Sequence, residues 1–541
     1  MRQNQEHATG TPPTWASIVR ARAVRVACLA GLLALTGCLS LPTDYPRKDT
    51  QAFTDTLDTR LGRGLAPLTE AHPGESGVHP LERGTDAFVA RLVLAEAADR
   101  SLDVQYYIWH NDTTGRLLAT WLMRAADRGV RVRVLLDDLG TAPNDRNLLA
   151  LDHHPNIEVR LFNPVAARGA RSLGTVFDFK RVNRRMHNKS FTADNKAAIL
   201  GGRNVGDEYF QAHQDVEFID FDVMAVGPVV QEVSASFDRF WNSPASVPIT
   251  ALTSDRASDT ALVEARSNLQ AFTETQRDGA YVNALRESGL TRQLLGGDVE
   301  VQWGRATIVD DDPAKVSTDP SERATHLLPK LAPLVAATSR ELLLVSPYFV
   351  PGKGGVKWFR ALRDRGVRVT VLTNSLAAND VTAVHAGYRR YREDLLKAGV
   401  ELWEVKPTAR SAGRTKTDER RGSGAGLAGS SHASLHAKTF AFDRRVLFVG
   451  SLNLDPRSAV LNTEIGLLID NPELTSALVA RLERRLPELA YRVRFRAGSD
   501  DLEWVSFENG AEMRYTRDPL ASTWRRFSSW FLSWMPIESQ L

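Results

Sequence analysis

Cysteine is almost missing from this 541-residue chain: Cys28 and Cys38 are the only two, and both fall in the first forty residues. The body of the protein therefore has no disulfide, no thiol nucleophile and no cysteine metal site. The apolar run VACLAGLLALTG at 26–37 is too short to span a bilayer, which takes roughly 20 apolar residues. An excess of one charge is missing too. The formal charge of +3 comes from the first 37 residues, which hold four Arg and one Glu; beyond them basic and acidic residues balance at 64 each. That balance argues against a dedicated nucleic-acid binder, whose surface carries a basic excess. What is present is length and apolar content. With 43% hydrophobic residues the chain is too long for one ordinary domain and supports two cores.

The N-terminus reads as an address. Arg20, Arg22 and Arg25 precede the short apolar run, and small residues follow it, as in a secretory signal peptide. The break Leu35-Thr36-Gly37-Cys38 resembles a bacterial lipobox, which implies lipidation of Cys38 after removal of residues 1–37. Leu39, rather than Asp, follows the cysteine, and the resemblance to known sorting preferences then points to the periplasmic face of the outer membrane. Several acyl chains together anchor stably. Residues 38–80, rich in Pro, Thr, Asp and Gly, are expected to form a tether.

Beyond residue 80 the chain is written twice. DRGVRVRVLLD at 127–137 is matched by DRGVRVTVLTN at 364–374. Each follows an amphipathic helix (116–128, 355–365), ended by Gly129 or Gly366 in a left-handed conformation, and each runs on into a buried parallel strand. LDVQYYIW and ELLLVSPYFV precede them as strands; NIEVRLFNP and GVELWEVKP follow. The same order twice implies two α/β domains of like topology. The reading divides the chain into a first domain at 81–250, an inter-domain segment at 251–325, a second domain at 326–515 and a C-terminal segment at 516–541.

The repeat extends to MHNKSFTADNKAAILGGRN (186–204) and LHAKTFAFDRRVLFVGSLN (435–453). His187 and His436 each have Lys at +2 (Lys189, Lys438), Asp at +7 (Asp194, Asp443) and Asn at +17 (Asn204, Asn453). Polar–apolar alternation predicts a hairpin, with His and Lys on one strand face and the Asp near the turn, making structural hydrogen bonds. Two such faces brought to one cleft would gather two imidazoles, two ammonium groups and two carboxamides, a set suited to a phosphodiester. One histidine can attack phosphorus while the other protonates the leaving alcohol. Each needs a carboxylate on its far nitrogen. Downstream of the second motif Glu464 precedes the apolar strand IGLLI, and downstream of the first Asp220, with Asp222 as its rival, precedes its strand by the same offset.

These residues resemble the phospholipase D superfamily, whose signature is H-x-K-x4-D followed by G-[GS]-x-N. Within it, RRMHNKSF, GGRNVGDEYF and SLNLDPRS resemble bacterial cardiolipin synthases of the C type. The resemblance implies two tandem pseudo-symmetric domains, each a mixed β-sheet flanked by helices, sharing one central active site. It implies a phosphohistidine mechanism with no metal or other cofactor, with His187, Lys189, Asp194, His436, Lys438 and Asp443 as the catalytic set and Asn204 and Asn453 binding phosphate. His187 would be the nucleophile and His436 the acid and base, each oriented from the other half: His187 by Glu464, His436 by Asp220. Gly202 where the second copy has Ser451 is expected to matter little. Phospholipid substrates follow, phosphatidylglycerol with phosphatidylethanolamine as a further candidate, at a membrane and without nucleic acid. Hydrolysis by the same site, a nuclease, and a non-catalytic lipid-binding lipoprotein remain rival readings, and neither oligomeric state nor a partner subunit is legible.

Four further features carry expectations. Residues 408–434 read as a loop at the cleft mouth or an inert one. Lys180, Arg181, Arg184 and Arg185 suit a phosphate-lined entrance or a solvated loop, and His385 an acceptor contact or a packed helix. Leu520, Trp524, Phe527, Phe531 and Trp534 share one helical face opposite Arg525, Arg526 and serines, which suits a membrane interface or docking on the core.

Overall fold

A computed structural model describes residues 41–141, 145–212, 216–296, 299–409, 432–508, 510–535 and 538–541. The signal segment, Cys38 and most of the 408–434 loop lie outside the described residues.

The duplicated strands build one sheet twice over. In the first half, the order across the sheet is Ser246–Pro248, Ile157–Phe162, Arg131–Asp137, Ser101–Tyr106, Ser190–Ala193, Ala197–Gly201, Asp222–Val226 and Ser76–Leu81. In the second half the matching order is Ala490–Phe495, Glu401–Val405, Arg368–Asn374, Glu341–Val345, Thr439–Phe442, Val446–Gly450, Ile465–Asp470 and Gln302–Asp310. The three central strands of each half run parallel; the hairpin and the strands beyond it run antiparallel. Gln302–Asp310 pairs at its start with Ser76–Leu81 and at its end with Ile465–Asp470, so the halves join in one sheet of 18 strands. Helices Thr113–Asp127 and Gly352–Asp364 cross from the first parallel strand to the second, and each stops before a glycine of positive φ, Gly129 at 94° and Gly366 at 84°.

Two segments differ from the sequence reading. Residues 41–80 are no simple tether. Arg133 Nη1 donates to the Thr50 carbonyl at 2.9 Å and Arg160 Nη2 to that of Lys48 at 2.7 Å. Thr59 caps the helix Arg60–Glu70, and Ser76–Leu81 is already a strand. Two arginines buried on one face of the sheet need acceptors, and this segment supplies them. The inter-domain segment is mostly part of the first half: helix Asp259–Gln276 packs on Thr113–Asp127, and the next two helices pack on Gly84–Ala97.

The C-terminal helix Thr523–Leu532 docks by its polar side. Ser529 is fully buried beside His385, and Arg525 Nη1 donates to the Ala377 carbonyl at 2.9 Å. The aromatic face points outward, with Trp524 72% and Trp534 75% exposed. Among the described residues, no helix is long and apolar enough to cross a membrane.

Candidate active site

The two histidines are held by their backbone before their rings are positioned. His187 and Lys189 precede the hairpin strand Ser190–Ala193, so the H-x-K stretch is an extended lead-in rather than part of the strand itself. Asp137, ending its parallel strand, accepts the Met186 N–H at 2.9 Å; Asn374, ending the matching strand, accepts the Leu435 N–H at 2.8 Å. Arg185 holds Asp137 in place through Nε at 2.9 Å and Nη2 at 2.8 Å. These clamps were not singled out in the sequence. Their signal was the last residue of the repeated block, LLD in one copy and LTN in the other.

The lead-ins then cross to the opposite half. His187 N–H donates to the Thr463 carbonyl at 2.9 Å, and His436 N–H to that of Ile219 at 2.8 Å. The next residue along each acceptor strand is the carboxylate. Glu464 Oε2 lies 2.9 Å from His187 Nδ1, and Asp220 Oδ2 lies 2.6 Å from His436 Nδ1. A ring nitrogen bonded to a carboxylate carries its proton there, which leaves each Nε2 with the lone pair. Neither half owns a complete site.

Both lysines fold back onto their own motif. Lys189 Nζ donates to the His187 carbonyl at 2.5 Å, and Lys438 Nζ to that of His436. Lys438 Nζ also lies 2.9 Å from His436 Nδ1, but that nitrogen's proton points to Asp220, so the lysine's hydrogen goes to the carbonyl.

Burial sets the charges. It pushes the His187 imidazole down to about 4, with Lys189 and Lys438 acting the same way against Glu464. Burial also lowers His436, and Lys438 lowers it further. Burial brings the Lys438 ammonium to about 8 and holds Lys189 well below its ordinary value. Burial alone would raise Asp220 and Glu464; the histidine beside each and the lysines hold both below the usual carboxylate range. Both imidazoles are therefore neutral near pH 7. An arriving phosphodiester adds negative charge, which favours protonating one of them.

The remaining sequence candidates fall into place unevenly. Asp194 and Asp443 sit at the hairpin turns with φ of 50° and 52°. Asp194 accepts the N–H groups of Asp99, Arg100 and Ser101 at 2.7–2.9 Å; Asp443 accepts those of Ser339, Arg340 and Glu341 at 2.7–3.0 Å. Each pins its hairpin to the neighbouring strand's approach. Both carboxylates bond backbone, as the turn position suggests.

Asn204 accepts the Ile108 N–H at 3.2 Å and donates to Tyr209 Oη at 3.0 Å, so one amide hydrogen remains to it. Asn453 Oδ1 is buried without a hydrogen-bond partner. Asp222 is taken by Arg91 Nη2 at 2.9 Å and is no rival to Asp220. Ser451 Oγ bonds Glu464 Oε2, whereas a Cβ at Gly202 would lie 2.1 Å from Asp220 Oδ1. The Gly/Ser difference thus matters: it fits each carboxylate to its own shell.

Three of the four residues in the basic stretch are already paired, and Lys180 is exposed. Arg181 is bonded to Asp178 and Asn163, Arg184 to the Thr318 carbonyl, and Arg185 to Asp137. His385, 1% exposed, is a packed helix residue.

Two like halves, each lending a carboxylate to the other's histidine, define a two-motif phospholipase D-type protein. More narrowly, the chain belongs to the family described as "Cardiolipin synthase, PLD-like domain", whose sequence profile matches residues 92–241 and 331–486. It is 42% identical over 481 residues to cardiolipin synthase C of Escherichia coli (strain K12), covering 88% of this chain and 99% of that protein. It is 31% identical to an uncharacterized protein of Helicobacter pylori, covering 91% and 94%. The solved phosphatidylserine synthase of Haemophilus influenzae Rd KW20 aligns over 77% of this chain and 87% of its own, with 14% identity and a TM-score of 0.49.

Proposed function

We propose that the protein is a phosphatidyltransferase of the cardiolipin synthase type, acting on phospholipids through a covalent phosphohistidine. The observation that carries this reading is the pair of imidazoles, each hydrogen-bonded at Nδ1 to a carboxylate from the other half. The 42% identity to cardiolipin synthase C supports the same reaction type.

His187 Nε2 attacks the phosphorus of phosphatidylglycerol. The phosphorus–oxygen bond to the headgroup glycerol breaks, and that oxygen takes the proton that His436 Nε2 gained when the anionic phosphodiester entered the cleft. His436, now neutral, removes the proton from a hydroxyl of a second phospholipid. The resulting oxygen displaces His187 from phosphorus, giving cardiolipin and restoring both imidazoles. Lys189 and Lys438 stabilise the charge on the non-bridging oxygens. Phosphatidylethanolamine is a second phosphatidyl donor in this scheme, with ethanolamine as leaving group.

The same reading places the protein on the periplasmic face of the outer membrane, anchored through lipidated Cys38, with the outward aromatic face of Thr523–Leu532 resting in the lipid interface. Its support is the lipobox-like LTGC and the exposure of Trp524 and Trp534. Incorporation of labelled palmitate that disappears in Cys38→Ala tests the anchor.

Purified protein incubated with phosphatidylglycerol, with and without phosphatidylethanolamine, tests the reaction. Cardiolipin that vanishes with His187→Ala is expected; phosphatidic acid as the only product would assign hydrolysis instead.

A further inference from the structure

The two halves are filled differently in one place. In the first half, helix Gly84–Ala97 lies across the sheet face carrying Leu102, Val104 and Tyr106, with Arg91 Nε donating to Tyr106 Oη at 2.8 Å. Phe88, Leu94, Val104 and Phe191 share one buried core there. The second half has the same strands without that helix. Between Gln302–Asp310 and Glu341–Val345 the chain makes three short 3₁₀ turns and the six-residue helix Ala332–Ala337.

What is left over the second sheet is a cavity of about 830 Å³. Its floor includes Leu344 and Phe440, a cross-strand pair matching Val104 and Phe191 in the first half. Phe349, Phe359 and Leu362 add further apolar wall. Such a volume lies in the usual range for a small-molecule site. The lining joins two environments. At one side stand Asn453 and Asp455, buried and directly downstream of Gly450, whose N–H donates to the Lys438 carbonyl at 3.2 Å. At the other stand Leu328 and Trp358, 40% and 39% exposed.

The geometry points to this cavity as the seat of one acyl chain of the phospholipid whose phosphodiester occupies the cleft. This rests on the phosphatidyl-transfer reading above. An apolar cavity whose lining includes both Asn453 of the second motif and the exposed Trp358 fits a chain attached to that phosphate through glycerol. Each methylene moved from water into it contributes about fourfold in affinity. The unpartnered Asn453 Oδ1 at the inner end suits a donor on the lipid's polar part. In the first half Gly84–Ala97 occupies the matching place over the sheet, so the duplicated fold binds its lipid asymmetrically.

Two variants narrow the cavity from its outer wall. Gly354 and Ala361 line it on the helix Gly352–Asp364, and a Cβ at Gly354 meets nothing within 4 Å. The wild-type chain is expected to prefer long-chain over short-chain phosphatidylglycerol in kcat/KM. Gly354→Phe and Ala361→Phe should each erase about tenfold or more of that preference while keeping the wild-type thermal midpoint. An unchanged preference in folded variants would overturn the assignment.

A second measurement needs no turnover. Full-length His187→Ala is irradiated with phosphatidylglycerol carrying a photoreactive group at one acyl end, and labelled peptides are mapped. Labelling within 323–337 or 349–362 is expected; labelling confined elsewhere, such as the C-terminal helix or a bound partner, would overturn the cavity. A labelled cavity in a wild-type protein that makes no cardiolipin would sink the transfer reading alone. Cardiolipin formation with an unlabelled cavity would sink the acyl-chain assignment alone.

Discussion

Glu464 Oε2 lies 2.9 Å from His187 Nδ1, although 277 positions separate them in the chain. The contact is prepared by backbone: Thr463 accepts the His187 N–H, so the carboxylate arrives in register with the ring. Its charge fixes the tautomer and stabilises the imidazolium-like state that forms as His187 bonds to phosphorus. Glu464→Gln preserves shape and removes charge. The expected outcome is a fall in kcat of roughly 10²- to 10⁴-fold with little change in KM. Steady-state cardiolipin formation on the variant checks this.

Gly202→Ser tests the fit around the other carboxylate. A Cβ there would meet Asp220 Oδ1 at 2.1 Å, and Asp220 cannot retreat without leaving His436. Misplacing a positioning group by about an ångström costs around 10²-fold in rate. The converse change, Ser451→Gly, removes one hydrogen bond from Glu464 and should be milder, roughly tenfold or less. Comparing kcat of the two variants decides whether the asymmetry between the copies is adaptive.

Much of this arrangement is readable from the chain because it is duplicated. The repeated DRGVRV blocks locate the parallel strands and their helix stops, and each motif is followed by a carboxylate just ahead of the next apolar strand; that each carboxylate serves the other copy's histidine comes from the family resemblance alone. What the sequence does not show are differences between the copies. Nothing local in residues 313–337 announces that a helix is missing over Leu344 and Phe440, since that depends on what the other half packs in the same place. Residues 41–58 look like linker by composition, yet the buried Arg133 and Arg160 recruit their carbonyls. The polar side of Thr523–Leu532 faces protein because Asp518 and the Ala377 carbonyl accept its arginines, a long-range fact that amphipathicity cannot report.

Asp194→Ala separates folding from chemistry. The fully buried carboxylate accepts three backbone N–H groups, and its loss leaves them unpaired beside the first hairpin. Destabilisation of about 3 kcal/mol is expected, read as a lowered thermal midpoint. Asp194→Asn keeps acceptor capacity on one oxygen and should recover part of it. Asp443→Ala, in a more open turn, should cost less. In each case kcat of the folded fraction should change far less than in Glu464→Gln, since these carboxylates touch backbone rather than substrate.

The two lysines predict a pH response with a definite sign. Lys438 titrates near 8, lowered by its burial, so its ammonium disappears above about pH 8 and the phosphodiester loses one of its two cations. KM for phosphatidylglycerol should therefore rise with pH above that point, by up to about tenfold per unit, while kcat changes less. The same charge holds His436 down, after burial itself. In Lys438→Met that repulsion is gone, and the His436 pKa must move upward from its wild-type position even though activity is lost. Titration of the histidine ring protons by NMR in both proteins checks the direction. A downward or absent shift would mean that Lys438 does not share the field of His436, and its role in charging the cleft would fall with it.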